Sequence, residues 1–241
     1  MSRASPTSRA AVGAAIALLV IAYWFGNAIA IALESDARSR SLGTPSHGRL
    51  ENGRRLPTAG ANFRAHSRLG AALGRNTVHR TVRDVVVAAY AELAASRPEL
   101  AFVYGETGLP GGGPFRPHRT HQNGLSVDFM VPVRDRSGRS VPLPTAPWTK
   151  FGYGLEFDRQ GRRGDLAIDF EAVAAHLAAL ERAAAAQGTR IELVIMAPEY
   201  LDLLWQTPTG RELRGRIPVL TRPTWVRHDE HYHVDFAKPD R

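Results

Sequence analysis

The most distinct pattern in the chain is an apolar run near its N-terminus. Ala10–Leu33 contains no charged residue, and about 20 apolar residues are enough to cross a hydrocarbon core. Arg3 and Arg9 precede the run, while Glu34, Asp36 and Arg38 follow it. Because positive charge stays on the cytoplasmic side, this asymmetry predicts a membrane-targeting helix and an exported, extracytoplasmic body.

The fate of this helix is left open by the sequence. Ala28-Ile29-Ala30 offers a small-x-small cleavage site after the apolar stretch, as in a signal peptide. The stretch is nevertheless long for a signal peptide and suits an uncleaved membrane anchor. Both readings place the rest of the chain outside the cytoplasm.

After the apolar run, the pattern predicts a linker and then one folded body. Residues 35–60 are rich in Ser, Gly and Arg and lack apolar periodicity, so we predict segments 1–34, 35–60 and 61–241. Helices are expected at Thr77–Ser96, at 170–187 and, briefly, at 198–205, with strands at 100–104, 125–133, 191–196 and near Phe236. Because strands and helices do not alternate regularly, the predicted fold is α+β, a small antiparallel sheet with flanking helices.

Composition narrows the chemistry of this body. The 241 residues include no cysteine, which excludes disulfides, thiolate metal sites and cysteine nucleophiles. A formal net charge of +8 favours an anionic partner. Nucleic acid is not expected, because no recognition motif accompanies the arginines and the targeting helix leads away from the cytoplasm.

Five of the nine histidines fall into two short clusters, one at His118 and His121 and one at His228, His231 and His233. Asp128 follows the first cluster across a turn that Asn123-Gly124 permits, so a loop histidine and a strand aspartate can converge. His231 and His233 are two apart on a predicted strand and therefore point to one face. One of this pair can bind a metal while the other faces a substrate.

Two histidines and a carboxylate are a ligand set typical of catalytic zinc, which keeps a position open for water. Zinc lowers the pKa of that water to about 7 and polarises a bound carbonyl. The predicted cofactor is therefore Zn²⁺, and the predicted reaction is hydrolysis of a peptide or amide bond.

The motifs resemble those of the penicillin-insensitive murein endopeptidases, a family grouped with lysostaphin-type peptidases, D-Ala-D-Ala dipeptidases and hedgehog domains. GETGLPGGGPFRPHRTHQNGLSVDF is similar to the family's glycine-rich loop and H-x-x-H-Q-x-G-L-x-V-D motif, and RHDEHYHV to its C-terminal H-x-x-H-x-H-V. RLPTAGANF and IMAPEY are weaker matches. Departures are the absence of cysteine, Glu106 and Ser126 in place of frequent aspartates, and a poorly matching region at 148–165.

The resemblance implies that His121, Asp128 and His233 are the zinc ligands and that His118, His228 and His231 line the site. The implied function is endopeptidase cleavage of D-amino-acid-containing peptide cross-links in peptidoglycan. Two alternatives stay open: a carboxypeptidase or dipeptidase that trims stem peptides, and a zinc-bound wall-recognition module without activity.

For the general base, His231 is preferred, because the pKa of imidazole suits proton transfer at neutral pH and the side chain lies beside His233. Glu230 is the rival, although on a regular strand it would point away from both histidines. Arg119 and Arg227 flank the two clusters and are candidate contacts for substrate carboxylates.

Overall fold

The computed structural model describes residues 6–239; Arg3, part of the charge argument above, lies outside them. The helices are α1 (Pro6–Ala32), α2 (Arg68–Ala72), α3 (Arg80–Ser96), α4 (Phe170–Ala186), α5 (Leu201–Gln206) and α6 (Pro208–Leu213), with 3-10 turns at Pro147–Gly152 and Pro198–Tyr200. The strands are β1 (Arg40–Thr44), β2 (His47–Glu51), β3 (Arg54–Arg55), β4 (Phe63–Ala65), β5 (Thr77–Val78), β6 (Phe102–Tyr104), β7 (Ser126–Met130), β8 (Val133–Arg134), β9 (Ser140–Val141), β10 (Arg162–Arg163), β11 (Leu166–Ile168), β12 (Ile191–Ile195) and β13 (His231–Phe236). The mixed α+β class and the apolar N-terminal helix are confirmed.

The central sheet has five strands in the order β12-β13-β7-β6-β4. Its neighbours are antiparallel except for β4 and β6, which run parallel. The predicted small antiparallel sheet is therefore a mixed sheet, because α2, β5 and α3 form a long crossover between β4 and β6. A four-stranded sheet, β10-β11-β8-β9, lies beyond β7 along the chain.

The two long body helices cover one face of the central sheet. α3 buries an apolar stripe of valines with Tyr90, and α4 is buried over most of its length. Tyr90 stacks on His176 of α4, and Phe129 of β7 and Tyr232 of β13 pack against that histidine. Since side chains alternate along a strand, Asp128 and the neighbours of Tyr232 must point to the opposite face.

The segment predicted as a linker contains ordered strands. β1 and β2 form an antiparallel hairpin, β3 pairs with β5, and Leu50 and Leu56 are buried. The apolar residues here are too few and too widely spaced to give a periodic signal, because the segment forms short ribbons with little buried side chain. The division of the chain into three segments stays a prediction.

Candidate functional site

Asp128 and His233 face each other across two neighbouring strands. The antiparallel register of β7 and β13 pairs them directly, and His233 Nδ1 lies 2.8 Å from Asp128 Oδ1. On its other side, His233 Nε2 lies 3.0 Å from Asp235 Oδ1, and the Ser126 hydroxyl donates to that same carboxylate oxygen. Ser126, noted above as a departure from the family, therefore helps to hold the histidine's supporting carboxylate.

His121 reaches Asp128 Oδ1, the oxygen that His233 also contacts, from the loop before β7. Its backbone adopts a φ of +68°, which turns the chain back toward the sheet. Its Nδ1 lies 3.1 Å from the Thr107 carbonyl, and its Nε2 lies 3.2 Å from Asp128 Oδ1. Donation from Nδ1 to the carbonyl leaves an unprotonated Nε2 directed at Asp128.

Three further side chains surround the second oxygen of Asp128. His118 Nδ1 lies 3.6 Å and His231 Nε2 3.8 Å from Oδ2. The Tyr153 hydroxyl donates to Oδ2 over 2.9 Å and accepts from the Glu106 amide over 2.8 Å. One buried carboxylate thus has four histidines and a tyrosine around it.

Charge in this cluster is arranged around Asp128. Burial raises the pKa of the Asp128 carboxyl, but His121 and His231 outweigh that effect and hold it well below its usual range. Burial lowers the pKa of both His118 and His228 to about 4, so these rings are neutral at neutral pH. For His233, burial is outweighed by Asp235 and Asp128, which raise its pKa to about 10.

The residues present fit a metal ion. Donor atoms of His118, His121 and Asp128 lie within 4.8 Å of one another, and His121 Nε2 is buried without a hydrogen-bond partner. A lone pair that faces a carboxylate needs a cation or a proton between them, and a borderline metal suits this nitrogen and oxygen set. The grouping includes His118, whereas the family resemblance implies His233 as the third ligand.

His231 is paired with Glu230. Its Nδ1 lies 2.9 Å from Glu230 Oε1, and both side chains line the cleft. The expectation that Glu230 points away is wrong for this reason: it precedes β13 and is not bound by the alternation of that strand. Burial lowers the pKa of His231, but Asp128 and Glu230 outweigh burial and raise it.

His228 lies on the loop before β13, where a φ of +55° turns its backbone. Its ring centre is 4.6 Å from that of His231, and its Nδ1 lies 2.7 Å from the Val226 carbonyl. The second histidine cluster therefore converges with the first, as the sequence predicts.

The two candidate arginines differ in position. Arg119 lines the cleft and its guanidinium lies 5.0 Å from the ring centre of Trp225. Arg227, which directly precedes His228 on the same loop, instead bonds Glu199 and Asp229. This geometry does not favour the expected contact between Arg227 and the substrate, because the guanidinium is already paired with both carboxylates.

Sequence reasoning missed Tyr153 as a member of the site. Tyr153 comes from the poorly matching region, and nothing in its local sequence marks it. Glu106 was noted only as a departure; its carboxylate receives Arg75 Nε at 3.0 Å and lies 3.4 Å from His66 Nε2. The site opens into a cleft of about 560 Å³. The walls of this cleft include Glu106, His118, Tyr153, Trp225, His228 and His231.

The protein is therefore an α+β protein with a buried histidine–carboxylate cluster in an open cleft. Such a cluster is a candidate metal centre of the kind that hydrolases use. The chain belongs to the penicillin-insensitive murein endopeptidase family, whose sequence model matches residues 41–241. The family assignment predicted from the motifs is confirmed, and it makes the chain a peptidase that acts on peptidoglycan. Comparison with curated proteins finds no significant match.

Proposed function

We propose that this protein is a zinc-dependent periplasmic endopeptidase that hydrolyses D-amino-acid-containing peptide cross-links of peptidoglycan. The observation that carries the proposal is the convergence of four histidines on Asp128 in the cleft, within the part of the chain that matches the family. Zinc suits this set because it accepts nitrogen and oxygen donors without a preferred d-electron geometry.

His121, Asp128 and His233 are the proposed ligands. Both histidines have one ring nitrogen held by an acceptor, Thr107 or Asp235, and the other directed at Asp128 Oδ1. Such outer partners fix the tautomer and orientation of metal-binding histidines. The raised pKa of His233 means that metal binding displaces a proton from its ring.

When bound, zinc supplies Lewis acidity that activates water and polarises the scissile carbonyl. His231 is the proposed general base: Glu230 holds its Nδ1, so Nε2 is the atom that accepts and later returns a proton in the cleft. The neutral rings of His118 and His228 are the proposed hydrogen-bond partners of the substrate, and Tyr153 keeps Asp128 oriented. Arg119, at the rim, is a proposed contact for a stem-peptide carboxylate.

The test incubates the full chain, in detergent and loaded with zinc, with purified cross-linked muropeptide dimers and reads the products by mass spectrometry. Dimers should become monomers, and a chelator should stop the reaction. Loss of only terminal residues would indicate a carboxypeptidase, and bound zinc with no cleavage would indicate a recognition module; either result contradicts the proposal.

Single variants separate the proposed roles. His231→Ala should abolish turnover and retain zinc, whereas His233→Ala should lose zinc. His118→Ala should retain zinc, and loss of the metal there would assign His118 to the ligand set instead. His47→Ala is the matched control, because His47 is exposed on the β1–β2 hairpin. Near-normal turnover of His231→Ala would transfer the general-base role to Glu230, to be tested with Glu230→Gln.

A further inference from the structure

The last turns of α1 are built into the body of the protein. Asn27 is 4% exposed. Its Nδ2 donates to the Leu56 carbonyl at 2.9 Å and to the Thr58 hydroxyl at 3.0 Å, and its Oδ1 accepts from Asn76 at 3.1 Å. Because a buried amide is stable only when hydrogen-bonded, these contacts join the helix to β3, β5 and their loops.

A second contact follows directly after the helix. Glu34 accepts from the Arg55 amide at 2.7 Å and lies 3.4 Å from the Arg83 guanidinium. The possible cleavage site Ala28-Ile29-Ala30 therefore lies within α1, between two residues that the body holds. Cleavage after Ala30 would remove Asn27 and leave the buried Asn76 amide without one of its partners.

The rest of α1 is apolar and exposed. Val12–Ala32 has a mean hydropathy of 2.1, and only 6% of its most apolar 18-residue stretch is buried. Tyr23 and Trp24 mark its body end, and the Arg68 guanidinium lies 4.7 Å from the Trp24 ring centre. Aromatic rings with a basic partner are typical of the boundary between lipid and water.

Asn27 docks one face of α1 and shortens the apolar span on that face, while Ile29 and Leu33 stay 48% and 79% exposed. Ala10–Gly26 provides about 17 uncharged residues, or about 26 Å of helix at 1.5 Å per residue, against a hydrocarbon core of about 30 Å. α2 packs alongside α1, and Leu69 within α2 and Leu73 directly after it are 50% and 65% exposed. These leucines extend the apolar surface at the body end of the helix, where the span is short.

We propose that α1 is retained as an anchor fixed rigidly to the body and that α2 inserts Leu69 and Leu73 into the surface of the bilayer. The partner of this surface is the lipid of the membrane that α1 spans. Two attachments, the docked helix and the inserted leucines, hold the body in one orientation. The proposal is independent of the metal and of the bond that is cleaved.

The orientation has a consequence for the cleft. Tyr23 and His66 line one cavity of about 350 Å³ together with Phe151. His66 in turn lies 3.4 Å from Glu106, which lines the cleft. The anchored body therefore holds its cleft close to the outer surface of the membrane, so its substrate would be peptidoglycan that lies near that surface.

Disulfide trapping tests the docking, because the chain has no cysteine of its own. A Cβ built on Gly26 lies 3.7 Å from the Ala72 Cβ, within the range of a disulfide. Gly26→Cys with Ala72→Cys should cross-link in native membranes on mild oxidation. Gly13→Cys with Ala72→Cys is the control, since nothing lies within 4 Å of Gly13.

The trapped product is read by intact mass and by its mobility without reductant. A full-length, membrane-bound chain that cross-links at 26/72 and not at 13/72 is the expected result. A soluble chain that begins after Ala30 would overturn the proposal, and so would a full-length chain in which neither pair cross-links. Neither readout depends on hydrolysis, so a failure here is distinct from a failure of the proposed function.

Spin labels test the insertion of α2. Leu69→Cys and Leu73→Cys, labelled in full-length protein in lipid nanodiscs, should be more accessible to oxygen than to a water-soluble nickel complex. Glu212→Cys on the exposed face of α6 is the control and should show the reverse. Water-like accessibility at both leucines, or shielding from both reagents as at a protein interface, would refute the insertion.

Discussion

Tyr153→Phe is the substitution that tests the site most directly, because it removes one oxygen atom and nothing else. The Tyr153 hydroxyl donates to Asp128 Oδ2 and accepts from the Glu106 amide. Burial, reinforced by Asp128 and Glu106, raises the pKa of Tyr153 well above its usual value, so the hydroxyl keeps its proton. Phenylalanine would remove the hydrogen bond to a buried carboxylate oxygen and the hydrogen bond from a buried amide.

The expected cost follows from those two bonds. A hydrogen bond to a charged group contributes about 1.5–3 kcal/mol and a neutral one about 1 kcal/mol, so the free energy of unfolding should fall by about 2.5–4 kcal/mol. Loss of an outer partner of a metal ligand should weaken zinc binding about 10- to 100-fold. Unfolding in denaturant with chelator present measures the first effect, and competition with a calibrated chelator measures the second.

Tyr200→Phe is the matched control, since the Tyr200 hydroxyl bonds, among residues 6–239, only the Asp158 carbonyl, away from the cleft. It should lower the free energy of unfolding by about 1 kcal/mol and leave zinc affinity unchanged. If Tyr153→Phe matched this control in both measurements, the reasoning that Tyr153 orients Asp128 would be refuted.

Three further predictions concern neighbouring groups. Burial lowers the pKa of His176 to about 3, so the unfolded chain alone binds this proton as the pH falls from 6.5 and stability declines; His176→Gln should flatten that decline in denaturant titrations between pH 6.5 and 3. Asp235→Asn should weaken zinc binding about 10- to 100-fold through His233, measured by chelator competition, and unchanged affinity would contradict this role. Arg227→Ala should speed hydrogen exchange in the loop at His228 and lower kcat without loss of zinc. A higher KM with an unchanged kcat would instead indicate a substrate contact.

The elements in which apolar residues recur with a clear helical or strand period were predictable from the sequence. α3 and α4 match their predicted helices closely because each buries a continuous apolar stripe in the core. The shared face of His231 and His233 follows from strand alternation, and the approach of Asp128 follows from the turn before β7. The spacing of the histidines therefore predicted most of the side chains that converge in the cleft.

Other features depend on contacts that no local pattern records. Tyr153 reaches Asp128 from a 3-10 turn whose sequence has no periodicity, and β1–β3 hold too few buried apolar residues to stand out. Glu230 was misplaced because its direction depends on where β13 begins, and strand ends are set by pairing partners rather than by residue type. The sequence alone therefore predicted the residues that converge in the candidate site better than the residues that orient them.

β13 connects the core to the site, and this explains how a short strand can set the geometry of the candidate metal centre. On one face, Tyr232 is fully buried, its hydroxyl 2.5 Å from His176 Nδ1 on α4. On the other face, His231 and His233 stand against Asp128. Because a strand cannot rotate one face without the other, packing against α4 fixes where both histidines point. A change in the helix layer should therefore alter zinc affinity and turnover together, although no residue of that layer touches the cleft.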